Sequence, residues 1–215
     1  MAQRTVPASN ELQLLDWKRR VFELYAEVRG TGEPKQAWER WKAERDELFA
    51  THPQSPIPPE DRGGFTGLPY FSYSPAARVL ARVEGATPEH YDIQTSGEVE
   101  GSYGFTRFAT ATFELSGEPI SLELYWLDGY GGGLFLPFRD GTSGAETYGA
   151  GRYLLDTVKG SDLGTDDGRL VLDFNFAYNP SCAYDPKWVC PLAPLPNRLR
   201  VPIRAGARYD AKKPG

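Results

Sequence analysis

The stretch FATATFELSGEPISLELYW, residues 108–126, decides the fold. Apolar and polar residues alternate along both halves, a period of two that belongs to a strand with one buried face. Between the halves, Ser116, Gly117, Glu118 and Pro119 form a hairpin connection. Working outward, the same period predicts strands at Arg78 to Val83, Tyr91 to Thr95, Thr106 to Leu115, Ile120 to Leu127, Leu134 to Phe138, Gly151 to Thr157 and Arg169 to Tyr178. Seven short strands separated by turn signals predict a mainly β (α+β) chain built on an antiparallel β-barrel or sandwich, not a parallel sheet.

Upstream the period changes. Leu14, Trp17, Val21, Leu24, Tyr25 and Val28 recur every three or four residues and share a helix face, with Asn10 and Gln13 as a capping box and Gly30 as the stop. A second helix starts at Pro34 and repeats the pattern with Trp38, Trp41, Leu48 and Phe49, while Lys35, Glu39, Arg40 and Glu44 line a solvated face. The prolines and glycines of THPQSPIPPEDRGG end it. The expected organisation is a helical pair over residues 1–50, a Pro-rich connector over 51–64, the β domain with a Pro-rich C-terminal segment over 65–206, and a tail over 207–215.

Composition excludes several functions. Against 29 Asp and Glu stand 24 Lys and Arg, a net charge of −5 that gives no general pull toward nucleic acid or an anionic membrane. The cluster Arg198, Arg200, Arg204, Arg208, Lys212 and Lys213 reads as a solvated tail. MAQRTVPASNELQ lacks the apolar region of a secretory signal, and no run is apolar enough for a span, so a cytoplasmic protein with reduced cysteines is expected. Composition leaves a homo-oligomer open.

Familiar motifs do not apply. GYGGGLF at residues 129–135 precedes a strand, whereas phosphate-cradling glycines open a helix. GTSGA at 141–145 is no nucleophile elbow. His52 and His90 lie beside neither motif and read as surface or helix-end residues. Cys182 and Cys190 stand eight apart with no histidine between them, so no metal site and no cofactor are expected. They read as buried thiols, a local disulfide being the alternative.

Polar chemistry concentrates in FRDGTSGAETYGAGRY, residues 138–153, and LVLDFNFAYN, residues 170–179. Asp140, Thr142 and their neighbours have turn composition. In the last strand, alternation puts Asp173 and Asn175 opposite Leu172, Phe174, Phe176 and Tyr178. If the strands are neighbours, Arg139, Tyr148, Arg152, Asp173 and Asn175 converge at one end of the barrel. One reading is structural, with Arg152 paired to Asp173 in a satisfied buried network. The other is a site for a small polar or anionic molecule at the barrel mouth. There Arg139 and Arg152 hold the anion, Thr142, Tyr148 and Asn175 orient it, and Asp173 fixes an arginine or meets a ligand hydroxyl. An enzyme on this plan would use Asp140 or Asp173 as acid/base beside an arginine, but no reaction-specific motif designates a catalytic residue. The rival class is a non-catalytic interaction module, docking a partner on its aromatic helices or Pro-rich segment.

The ordered motifs FTGLPYFSYSP, FATATFELSGEPISLELYW, FRDGTSGAETYGAGRY, LDFNFAYNPSCAY, CPLAPLPNRL and VPIRAG resemble a prokaryotic family, domain of unknown function 1684 (DUF1684), from about residue 15 to residue 206. The resemblance implies a shared fold and carries no catalytic residues. The family pattern leads to an acidic residue after Ala205 and Gly206, where this chain has Ala207, so no carboxylate role transfers there.

Overall fold

A computed structural model describes residues 9–96 and 102–209. Two helices come first, α1 (Asn10–Gly30) and α2 (Pro34–Thr51). The cap of α1 is Ser9, one residue ahead of the expected Asn10: its Oγ accepts from the Leu12 amide at 3.3 Å. Pro34 opens α2 as expected, where the amide it lacks would have had no partner. Arg20, nearly buried, clasps the pair by reaching Glu44 at 2.7 Å and Glu47 at 3.2 Å.

The strands are β1 (Arg78–Gln94), β2 (Ser102–Leu115), β3 (Glu118–Leu127), β4 (Leu134–Phe138), β5 (Arg152–Asp156), β6 (Thr165–Asp166) and β7 (Arg169–Asp173). Every pairing is antiparallel, in the order β5-β4-β3-β2-β1-β7-β6. The mainly β, α+β class therefore holds, but the sheet does not close into a barrel. Among the described residues its two sides meet only through an isolated bridge, Tyr153 with Tyr178, beyond the end of β7. With no closed barrel, there is no barrel mouth.

The β2–β3 hairpin turns on two residues, Ser116 (φ 55°) and Gly117 (φ 81°), both in the left-handed region that suits strand twist. Glu118 and Pro119 already belong to β3. The two strands expected at 78–83 and 91–95 are one long strand, β1, because a bulge between Gly85 and Glu89 absorbs Pro88 without ending the pairing. The last expected strand stops early. The Asp173 carboxylate accepts from the Asn175 amide and turns the chain into a single 3₁₀ turn, Phe174–Phe176. Alternation consequently fails there, and Asp173, Phe174, Asn175 and Phe176 are all buried.

The helices and the sheet share one core. Leu24, Trp38 and Trp41 pack with Ala81, Ala111, Leu122, Leu136, Leu154, Leu172 and Phe174. Burying one such side chain is worth about 1.5–3 kcal/mol, so this contact fixes where the helices sit. Leu124 and Tyr125 are consecutive and both buried. Leu124 enters the main core, while Tyr125 joins Ile93, Phe105, Phe135 and Tyr153 in a second cluster.

After Tyr178 the chain laces back across the sheet, as its prolines suggest. Leu192 bonds Gln94, Asn197 bonds Glu123 and Pro137, and Leu199 bonds Arg139. Among the described residues no helix is long and apolar enough to cross a membrane. Lys212, Lys213 and the first eight residues lie outside the described residues.

Candidate functional site

The polar residues singled out in the sequence separate into three places. In the first, Arg152 and Asp140 form a buried ion pair at 2.8 Å, with side-chain exposures of 1% and 0%. The second nitrogen of this guanidinium, Nη1, donates to the carbonyls of Ala205 and Ala207, and Nη2 also donates to that of Ile203. Asp140 Oδ1 accepts from the Thr142 amide (2.8 Å), the Thr142 hydroxyl (2.5 Å) and the Ile203 amide (3.2 Å). Burial lowers the Arg152 pKa, and the adjacent Asp140 opposes that shift. The expected pairing of Arg152 with Asp173 is thus replaced by Arg152 with Asp140. All four terminal donors of Arg152 are committed to stapling residues 203–207 onto the 140–152 loop. Arg139 lies beside this staple, its backbone bonded to Asn197 and Leu199 and its side chain beside Gly151.

Asp173 and Asn175 occupy a second place. Asp173 Oδ1 accepts from the backbone and side-chain nitrogens of Asn175 at 3.0 and 2.7 Å, and Asn175 pins Ser74 through both of its backbone groups. The Asn175 carbonyl also accepts from the Trp38 indole. Burial pushes the Asp173 carboxyl above its ordinary range. It lines a cleft of about 360 Å³ with Arg29 and Arg78, but those cations face Asp162 at 3.3 Å and Asp166 at 3.7 Å.

Tyr148 stands in the third. Its hydroxyl faces the Cys182 carbonyl at 3.2 Å and the Cys182 sulfur at 3.7 Å, and its ring packs edge-on against Tyr209. The seven residues therefore do not converge. His52, expected at the surface or a helix end, caps the C-terminus of α2 and is buried there: Nδ1 accepts from the Gln54 amide and Nε2 faces Asp16, while burial lowers its pKa. Among the described residues no group of three or more His, Cys, Asp or Glu is placed to hold a metal ion.

A fourth place was not among the candidates. Between the helices and the Tyr153–Tyr178 bridge lies a cavity of about 80 Å³, lined among others by Tyr25, Arg45, Tyr153, Lys159, Ser161 and Tyr178. The Arg45 guanidinium sits 4.8 Å from the ring centre of Trp41, 5.1 Å from Phe49 and 5.0 Å from Tyr178. Its Nε contacts the Tyr70 hydroxyl at 3.4 Å. Among the described residues no carboxylate lies within ion-pair distance of it, and its two terminal nitrogens have no hydrogen-bond acceptor. Lys159, at the same cavity, is paired with Asp156 at 3.5 Å.

The hydroxyls around Arg45 are donors. Burial raises the pKa of Tyr25, Tyr153 and Tyr178, so all three keep their protons. Tyr153 donates to the Pro191 carbonyl. The Ser161 hydroxyl lies 3.0 Å from the Tyr25 hydroxyl, to which it donates, and 3.2 Å from the Leu154 carbonyl. A half-buried guanidinium whose terminal nitrogens have no protein acceptor, set among aromatic rings, suits an anion. The sequence held one signal of this. Arg45 falls seven residues after Trp38 and four after Trp41, on the aromatic face of α2 and not on the charged one.

Comparison with known proteins agrees on the fold and is silent on chemistry. The solution NMR structure of an uncharacterized protein of Haloarcula marismortui is similar at a TM-score of 0.60, with 39% identity, covering 85% of this chain and 100% of that one. No curated protein gives a match. The model of a family described as "Protein of unknown function (DUF1684)" matches residues 63–208, more than half of the sequence. The chain thus belongs to the DUF1684 family.

Proposed function

We propose that this protein binds a small anionic molecule, a carboxylate in the first instance, in the cavity around Arg45. One observation carries the reading: a half-buried guanidinium flanked by Trp41, Phe49 and Tyr178, with no carboxylate in ion-pair reach among the described residues. Half-burial strips part of the water from this charge without supplying a partner, which costs free energy. The aromatic faces offset part of that cost, about 0.5–2 kcal/mol each at best. A ligand carboxylate would supply the rest by taking both terminal nitrogens in a bidentate pair, for which the planar fork of arginine is suited. The rings of Trp17 and Phe49 line the same cavity and offer apolar contact to the body of the ligand.

The test is a thermal-shift series with sodium acetate, pyruvate, benzoate and phosphate at constant ionic strength, on the natural protein and on Arg45→Met. Saturation at a hundred times Kd adds about 2.7 kcal/mol of stability. At this chain length that raises Tm by roughly 5–10 °C. The shift should occur in the natural protein and vanish in Arg45→Met, with Arg45→Lys intermediate because lysine keeps the charge and loses the fork. Equal shifts in the natural protein and Arg45→Met, or no shift with any of the four anions, would overturn the proposal.

A further inference from the structure

Asp173 uses one carboxylate oxygen and leaves the other open. The residue is only 2% exposed, and its Oδ1 accepts both nitrogens of Asn175 in ending β7. Among the described residues Oδ2 has no hydrogen-bond donor, and no cation stands within ion-pair distance of the carboxylate. Two arginines come near, and both are committed elsewhere. Arg78 is opposite Asp173 in the β1–β7 register, yet its guanidinium pairs with Asp166 at 3.7 Å. Arg29 Nη1 serves the Asp162 carbonyl at 2.7 Å and its carboxylate at 3.3 Å.

Asp173, Arg78 and Arg29 line the cleft of about 360 Å³, where the α1–α2 connection meets β1, β6 and β7. Its other walls include Val28, Ala37, Leu163, Val171 and Phe176. Thr31 also lines it, and the Thr31 hydroxyl donates its proton to the Glu27 carbonyl at 2.8 Å, which leaves that oxygen an acceptor. The cleft shares no lining residue with the Arg45 cavity.

We propose that this cleft binds a small primary ammonium with an apolar body, its charge neutralised by Asp173 Oδ2. The balance of charge carries the choice. Arg29 cancels Asp162 and Arg78 cancels Asp166, so Asp173 is the carboxylate left over. A buried carboxylate without a counter-charge is costly, and a charged donor removes that cost through a bond roughly twice as strong as a neutral one. A neutral hydroxyl would fill the acceptor and leave the charge standing. An anion would meet Asp173 and Asp166 while both arginines are already occupied. An ammonium brings three donors and no acceptor, which suits Oδ2 and the Thr31 oxygen, and its hydrocarbon part suits the apolar walls. Burial pushes the Asp173 carboxyl up against the opposing pull of Asn175 and Arg78, the behaviour of a carboxylate short of positive charge.

The experiment titrates n-butylammonium chloride into the full chain by calorimetry at constant ionic strength, beside n-butanol as its uncharged counterpart. The natural protein should bind butylammonium saturably and butanol at least about tenfold more weakly. Asp173→Asn should lose at least about tenfold in affinity for butylammonium. Its amide oxygen can still accept from the Asn175 amide, so the turn that ends β7 persists. Thr165 is exposed and lines the cleft, so Thr165→Trp should also weaken binding, by filling the space while Asp173 stays in place. Arg45→Met should bind butylammonium as the natural protein does. Circular dichroism checks the fold of each variant, and Thr165→Trp decides the question without touching the turn. Absence of saturable butylammonium binding would overturn the proposal. So would equal affinity for butanol, or unchanged affinity in Asp173→Asn or in Thr165→Trp.

Discussion

Replacing Arg152 by methionine should be among the most damaging single changes in the chain. The substitution keeps most of the side-chain length and removes the guanidinium. Asp140, with no exposed side-chain surface, would then stay buried without its counter-charge, and breaking such a pair costs about 3–5 kcal/mol. The carbonyls of Ile203, Ala205 and Ala207 would lose their donor together. Even with relaxation, one orphaned group adds about 1–3 kcal/mol. A total of roughly 4–8 kcal/mol follows, which at this chain length lowers Tm by on the order of 10–30 °C. Scanning calorimetry and urea denaturation read it directly. A double-mutant cycle assigns the partner. Arg152→Met with Asp140→Leu should show a coupling of at least about 2 kcal/mol, because the apolar pair leaves no buried charge. Arg152→Met with Asp173→Asn should be additive within about 0.5 kcal/mol. A loss under about 1 kcal/mol for Arg152→Met, or coupling to Asp173 instead of Asp140, would refute the staple.

Other outcomes follow from the same structure. Asn197→Ala should cost on the order of 2–4 kcal/mol in urea denaturation. Its fully buried side chain accepts from the Glu123 amide and donates to the Glu123 and Pro137 carbonyls, and alanine replaces none of these. Gly206→Ala should lower Tm by the equivalent of roughly 2–4 kcal/mol, from strain and overpacking. Gly206 has φ +76°, and an added Cβ would lie 2.6 Å from the carbonyl oxygens of Phe174 and Ala177. Asp173→Asn should gain on the natural protein as pH rises. Burial raises the native Asp173 pKa, so this group's stability contribution is present below its unfolded value, about 3.9, and is lost as pH rises through the native one. Urea midpoints of the two proteins should be closer at pH 4 than at pH 7.

Much of the architecture is legible in local sequence because it rests on local periods. Ala109, Ala111, Leu122 and Leu124 alternate with polar residues, and all four are buried. Trp38, Trp41, Leu48 and Phe49 mark the inner face of α2 just as plainly. What escaped depends on side chains competing with backbone patterns. Pro88 reads as a break, yet a bulge accommodates it inside β1. Asp173 reads as a strand residue, yet its carboxylate caps the turn that ends β7. β6 has only two residues and thus no period to detect.

The candidate site was legible in type but not in place. Arg152 does need a buried carboxylate, but Asp140 and Asp173 are equally acidic, and only the tertiary path selects between them. Arg45 escaped for another reason. An arginine within an aromatic stripe normally lays its stem along the surface and sends its charge to water. Here Trp41, Phe49 and Tyr178 flank the guanidinium and hold it half-buried at the cavity.

The central claim is that Arg45 receives an anion, and NMR of the arginine side chains tests it most directly. The ¹⁵N–¹H signal of Arg45 Nε, assigned by its loss in Arg45→Met, would be followed while sodium acetate replaces sodium chloride at constant ionic strength. The account predicts a saturable shift of Arg45, larger than that of any other arginine, with the Arg152 signal unmoved because Asp140 and three carbonyls already hold that side chain. An Arg45 signal that does not move, or that moves no more than those of exposed arginines such as Arg19 and Arg204, would contradict it.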